Sequence, residues 1–452
     1  MDAEATWAKR FAVIFLIQAV IAVCALSFLM PPLANSDEMD HLKRVDQIAH
    51  GGLVAHREAG DRYWSGGTVD DGIAEVGRIV RSDDPARVRA AGKIRWGQRA
   101  PSAFPNTSIY PPILYGPAVA GEWLGRAFGL SIVGTLKIAR LVSGLVFVLV
   151  ISAAIARSAG AAPWLLAIAS LPMSVSLLAA VSQDGGLLAC AFAAVALVAR
   201  IGADGDARAD RRRIACLALA LALVASARPV YAPFAIIPLL VRGGSIRARA
   251  AASAAVLAAI LLWSAIDTIF VITNWAAFLG ADPKGQILFL LGHPWRIGPI
   301  AVATFAGPQG MHGQPYWQEA IGALGALDIV LPTWFYHIGA CGLTLAGLLA
   351  MLRARPMLST RSQAVAATAG LASVALVFVF QYVDVMRVGA PKVGAVQGRY
   401  FLPIGIVLPL ALPALGCPPY PKSSNALRLV IAAFPTVAML TAIMCVLLHT
   451  RP

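Results

Sequence analysis

Residues 11–41 read FAVIFLIQAVIAVCALSFLM followed by PPLANSDEMDH. The first part, Phe11 to Met30, is an apolar run of membrane-crossing length. The second carries three carboxylates, Asp37, Glu38 and Asp40, and the imidazole of His41 to the point where the chain leaves hydrocarbon. Asn35 or Ser36 can cap a helix there, the acids fill its first turn, and His50-Gly51-Gly52 supplies a stop. Asp37 and His41 then share a face. The plain alternative is that first-turn acids answer the helix macrodipole and that Asp40 pairs with Arg44. A position at headgroup depth favours a functional role for Asp37 or Glu38.

Composition carries the same reading to the whole chain. Of its 452 residues 58% are hydrophobic and 13% charged, and the mean hydropathy is +0.72. This is the profile of a polytopic membrane protein. The formal net charge of +14 does not indicate nucleic acid, because basic residues such as Arg208, Arg211, Arg212 and Arg213 sit in short loops between apolar runs. Cys24, Cys190, Cys216, Cys341, Cys417 and Cys445 show no CxxC or Cys/His spacing and read as small buried hydrophobes. The first run is too long for a signal h-region and reads as a retained anchor. No GxGxxG, P-loop, HExxH or GxSxG motif is present, which argues against nucleotide-dependent chemistry.

Length and flanking charge predict an all-α fold with about eleven transmembrane helices. After Phe11 to Met30 the expected spans fall near 136–156, 162–181, 185–201, 212–227, 229–241, 250–272, 331–352, 363–383, 400–416 and 427–449. Lys9 and Arg10 put the N-terminus in the cytoplasm. The chain then forms one membrane domain, 1–452, with a long outer loop at 31–131 bearing amphipathic helices and an outer interfacial segment at 275–330. Within the latter, 287–305 is apolar, but His293-Pro294-Trp295-Arg296 interrupts it, so it is laid in the interface.

This topology sorts the unusual polar residues to the outer side. Asp184, Arg228, Asp328, Arg399 and Tyr400 all stand at outer span ends, where acids and arginines from separate loops can converge. Each also has a plain role: Asp184 as a helix cap, Asp328 as a solvated acid, Arg228 and Arg399 as phosphate-snorkelling anchors. His56, His312 and His337 are isolated and offer no chemical constellation, and His293 stands apart from them only because it breaks an interfacial helix.

Several elements, in order, resemble the bacterial membrane proteins catalogued as domain of unknown function 2142. They are Asn35-Ser36-Asp37-Glu38-Met39-Asp40-His41, Ser182-Gln183-Asp184, Arg228-Pro229-Val230-Tyr231-Ala232-Pro233, Asp282-Pro283-Lys284 to His293-Pro294, Gly325 to Pro332, and Gln397-Gly398-Arg399-Tyr400-Phe401-Leu402-Pro403. The resemblance runs from about residue 11 to 449, with Met39 where a proline often follows the acidic pair and Arg228 where a lysine is frequent.

That family is similar in layout to the GT-C glycosyltransferases, so the resemblance implies a GT-C-like enzyme of the bacterial inner membrane. Such an enzyme moves a sugar from a polyprenyl-phosphate donor to an envelope glycan or lipid acceptor by inversion, among membrane lipids and without nucleic acid. It casts Asp37 or Glu38 as catalytic base and Arg399 with Arg228 as the phosphate site. His41, Asp184, Tyr231, Asp328 and Tyr400 join them as substrate-binding residues. No dedicated protein metal site is expected, although the acids leave room for a divalent cation, Mg or Mn, held against the phosphate. Competing readings are a lipid or solute transporter and a non-catalytic envelope-assembly protein.

Overall fold

Apolar length and proline placement decide which helices cross a bilayer and which fill the space between them. The computed structural model describes all residues except 1, 59–63, 82–88, 204, 274, 308, 311–312, 354, 417–421 and 451–452, so His312 and Cys417 lie outside the described residues. In chain order, α1 (Asp2–Leu29) leads to α2 (Glu38–Ala49), β1 (His56–Arg57), β2 (Ser65–Asp70), α3 (Gly72–Val80), β3 (Arg99–Ala103) and α4 (Gly116–Ala127). The bundle continues with α5 (Ile132–Arg157), α6 (Asp184–Arg200), α7 (Ala207–Ala227), α8 (Ile246–Ile266), α9 (Thr333–Met351), α10 (Thr360–Asp384) and α11 (Lys422–His449).

The expected number of spans is corrected downward. Among the described residues six helices are long and apolar enough to cross a membrane, or up to eight if each of two bent pairs counts as one. The segment expected at 185–201 is a helix of 17 residues, buried along most of its length. The one at 212–227 belongs to α7, whose first turns carry Asp210, Arg211, Arg212 and Arg213. Those near 229–241 and 400–416 break into short pieces, Pro229–Leu240 and Gly398–Leu410. Pro229, Pro233, Pro238, Pro403 and Pro409 interrupt them. The 162–181 segment bends by 81° between Ala159–Ala169 and Pro172–Leu178. Much of the apolarity that suggests spans is thus used in helix-to-helix burial.

The 31–131 segment departs from the all-α expectation. It holds a three-stranded antiparallel sheet, ordered β1-β2-β3, with Gly66 opposite Ala103 and Asp70 opposite Arg99. Strand β2 reads Ser-Gly-Gly-Thr-Val-Asp, which lacks the β-branched and aromatic run that signals a strand. Its glycines serve close approach: a Cβ on Gly66 would strike the Ser102 carbonyl, and one on Gly67 the Gln47 side chain. Leu42, Val45, Ile73, Val76, Tyr115 and Ile132 close a second, smaller core between this sheet layer and the bundle.

Two features carry this layer and the bundle to the site. Helix α4 lies tight against α5, with Gly121 on the Ala139 backbone and Gly125 on Thr135. Farther along, Pro283–Gly292 and Pro294–Ala306 meet at 96° around His293-Pro294. This pair grips the loop leading to Arg399: the Gln286 Oε1 accepts the Gly389 N–H at 2.9 Å and the Thr304 Oγ1 accepts that of Val393 at 3.0 Å.

Candidate active-site cleft

Helix α2 begins later than its capping residues suggest, at Glu38, with Asp37 as N-cap. Asp37 has φ +55°, the left-handed region that aspartate tolerates better than most residues. Its carbonyl accepts the His41 N–H at 2.9 Å, and its side chain makes no cap hydrogen bond. The Asp37 carboxylate is instead free to line a cleft, and it is 42% exposed.

Glu38, its neighbour, points elsewhere. It is fully buried against Arg140 of α5, with Arg140 Nε donating to Oε1 at 2.8 Å and Nη2 to Oε2 at 2.5 Å. The Asn35 amide and the Val181 N–H also donate to Oε1, at 2.9 and 3.2 Å. Burial raises its pKa, but the Arg140 charge and these hydrogen bonds outweigh burial and hold the carboxyl below its usual value. Arg140 also donates to the carbonyls of Met30 and Pro31, so the pair ties the end of α1 to the start of α2.

Three charged side chains from distant segments meet beside Asp37. Arg228 Nη2 donates to Asp184 Oδ1 at 2.8 Å. Arg399 lies 3.6 Å from the other Asp184 oxygen and 3.5 Å from Asp37 Oδ2. The second pair of distances is long for a charge-assisted hydrogen bond. The Nε atoms of both arginines are buried without a partner, so donor capacity remains on each guanidinium. The Tyr400 ring lies 4.3 Å from the Arg228 guanidinium and 5.7 Å from that of Arg399. Tyr231 donates to the Tyr400 carbonyl at 2.8 Å and fixes that turn.

The cleft in front of these groups measures about 370 Å³ and is lined by Asp37, His41, Arg228, Arg399 and Tyr400 together with residues of α10. Asp184 and Tyr231 stand behind this lining. Asp328 is apart: it accepts the Ala326 N–H at 3.0 Å and faces His449 at 3.6 Å. Sequence reasoning did not single out Arg140, Asn106, Tyr110, Gln381 or Asp384 as site residues, although the last four line the cleft. Tyr110 could have been found from its place in the Tyr110-Pro111-Pro112 turn; Arg140, inside an apolar run, was the stronger signal overlooked.

His41 faces the Tyr115 hydroxyl across 2.7 Å and stacks on Tyr110, ring centres 6.1 Å apart. Burial pushes its pKa down to about 4, offset in part by Asp184 and Asp37 and reinforced by Arg399 and Arg228. A histidine that stays neutral in the fold but protonates near 6.5 when unfolded destabilises the protein as pH falls through that interval. Thermal unfolding at neutral pH and about pH 5 should therefore show a loss in the wild type that is smaller in His41→Asn. Equal losses in both proteins would remove His41 as the source.

The family model described as "Predicted membrane protein (DUF2142)" matches residues 20–408, a span that contains every cleft residue named above. The chain belongs to this family. No curated protein and no solved structure matches it.

The DUF2142 chain also holds a candidate metal-ligating group, on α2 and α4 rather than in the cleft lining. One ligand atom each from Asp46, His50 and Glu122 lies within 4.8 Å of the others. A divalent cation thus has a candidate ligand set, away from the Asp37-Glu38 pair. Guanidinium groups share these oxygens: Arg126 contacts both Asp46 and Glu122, and Arg99 reaches Asp46 at 3.1 Å. Burial, followed by the Asp46 charge, raises the Glu122 pKa to about 8.

Proposed function

We propose that this DUF2142 protein is a membrane glycosyltransferase that takes a sugar from a polyprenyl-phosphate donor and passes it to an envelope glycan or lipid acceptor. The carrying observation is the half-exposed Asp37 carboxylate 3.5 Å from an arginine that itself keeps unused donors. Loop charges support an outer-leaflet position for this end of the bundle, with the N-terminus in the cytoplasm.

In this reading the donor phosphate displaces the long Arg399 contacts and takes hydrogen bonds from Arg399 and Arg228. Asp37 accepts the proton of the acceptor hydroxyl as that oxygen bonds to the anomeric carbon. The bond from that carbon to the phosphate oxygen breaks, and its electron pair leaves on polyprenyl phosphate, whose growing charge the two arginines stabilise. Asp184 holds both guanidinium groups in place, and neutral His41 orients the cleft wall through Tyr115 and Tyr110.

Full-length purified protein supplied with a radiolabelled polyprenyl-phosphate sugar and envelope lipid extract tests the proposal. Labelled glycan or glycolipid is the expected product. Label that crosses vesicles without changing its lipid linkage would instead establish a transporter.

A further inference from the structure

The cleft has a wall that the reaction above does not use. Val377, Phe380, Gln381 and Asp384 line it from α10, spaced three, four and seven residues from the first, so they form one helix face. Along that face polarity changes once: two apolar side chains lie toward the middle of the span and two polar ones at its end. Phe380 is 38% exposed. The Gln381 and Asp384 side chains make no hydrogen bond or ion pair among the described residues, although Asp384 ends a helix whose terminus disfavours an anion.

We infer that this face of α10 reads an amphiphilic phosphosugar, with Gln381 and Asp384 hydrogen-bonding sugar hydroxyls and Val377 and Phe380 receiving the first part of the lipid chain. The inference rests on the phosphate reading of Arg228 and Arg399, which sets where the junction of head and tail lies. A carboxylate and an amide together offer several acceptors and two donors, the complement of a ring of hydroxyls. An apolar stretch immediately below them on the same helix suits a chain leaving toward hydrocarbon.

The experiment is a binding comparison with the full-length protein in nanodiscs. The probes are undecaprenyl phosphate and the same lipid phosphate carrying glucose, mannose or arabinose. Wild type should bind at least one sugar-bearing probe roughly tenfold or more tighter than the bare phosphate, since the sugar hydroxyls add hydrogen bonds to the Asp384 carboxylate and the Gln381 amide that the bare phosphate does not make. Asp384→Asn and Gln381→Ala should reduce or abolish that preference and leave affinity for bare undecaprenyl phosphate unchanged. Phe380→Asp should weaken all probes together.

A preference that persists in both polar variants, or a wild type that prefers no sugar in the panel, overturns the assignment of α10 alone. A wild type that binds none of the probes overturns the phosphate reading and this inference with it.

Discussion

Arg140→Met should lower the stability of the purified protein by about 3–5 kcal/mol, the typical cost of leaving one member of a buried ion pair uncompensated. Glu38 would keep only the Asn35 side-chain amide, the Asn35 backbone N–H and the Val181 N–H, and the carbonyls of Met30 and Pro31 would lose their shared donor. The pH dependence supplies a second signature. In the wild type the Glu38 carboxyl lies below its usual 4.5, so its stabilisation is present above that value and is lost as pH falls through the lower, folded one. Without Arg140, burial is opposed only by the remaining Asn35 and Val181 hydrogen bonds, the pKa rises, and the variant should recover part of its loss as the pH drops and the carboxyl protonates.

Combining Arg140→Met with Glu38→Leu should return more stability than Arg140→Met alone keeps, because no unpaired charge is then left inside. Thermal unfolding in detergent reads all three proteins. An Arg140→Met protein as stable as wild type would show that the pair does not anchor the junction between α1 and α2.

Asp37→Asn should act in the opposite manner, sparing stability and removing chemistry. Asparagine is isosteric, tolerates the left-handed backbone at φ +55°, and gives up only long contacts of a half-exposed carboxylate. If Asp37 is the base, sugar transfer should fall roughly 100- to 10,000-fold with an unchanged unfolding temperature. The donor KM should change little, because the phosphate is held by the arginines. Glu38→Gln should lose activity only together with stability. Full transfer by Asp37→Asn would leave the proton with another group.

The two acids of the Asp37-Glu38 pair show how far one sequence reads. Their shared position at the end of an apolar run is plain, and so is the placing of Asp184, Arg228 and Arg399 at the ends of apolar segments. Which acid turns inward is not plain, because the answer depends on Arg140, 102 residues away from Glu38 and hidden in a stretch that otherwise reads as lipid-facing. The span count failed for a related reason. Asp184–Arg200 and Pro229–Leu240 are as apolar as many membrane helices, but hydropathy does not distinguish lipid from a neighbouring helix as the partner of that surface. The small sheet was concealed by Gly66 and Gly67, whose conformational cost in a strand is offset by the close packing of β3 and Gln47. Asp384 reads as the polar end of a span, and only the cleft gives it a direction.

A cryo-EM map of the full-length protein in nanodiscs containing polyprenyl phosphate bears most directly on the central claim that Asp37, Asp184, Arg228 and Arg399 form one phosphate-binding reaction site. The account predicts phosphate density within hydrogen-bond reach of both guanidinium groups, beside the Asp37 carboxylate, with the lipid chain passing Phe380. Lipid phosphate bound elsewhere, with Arg399 still spanning Asp37 and Asp184 across an empty cleft, would contradict it.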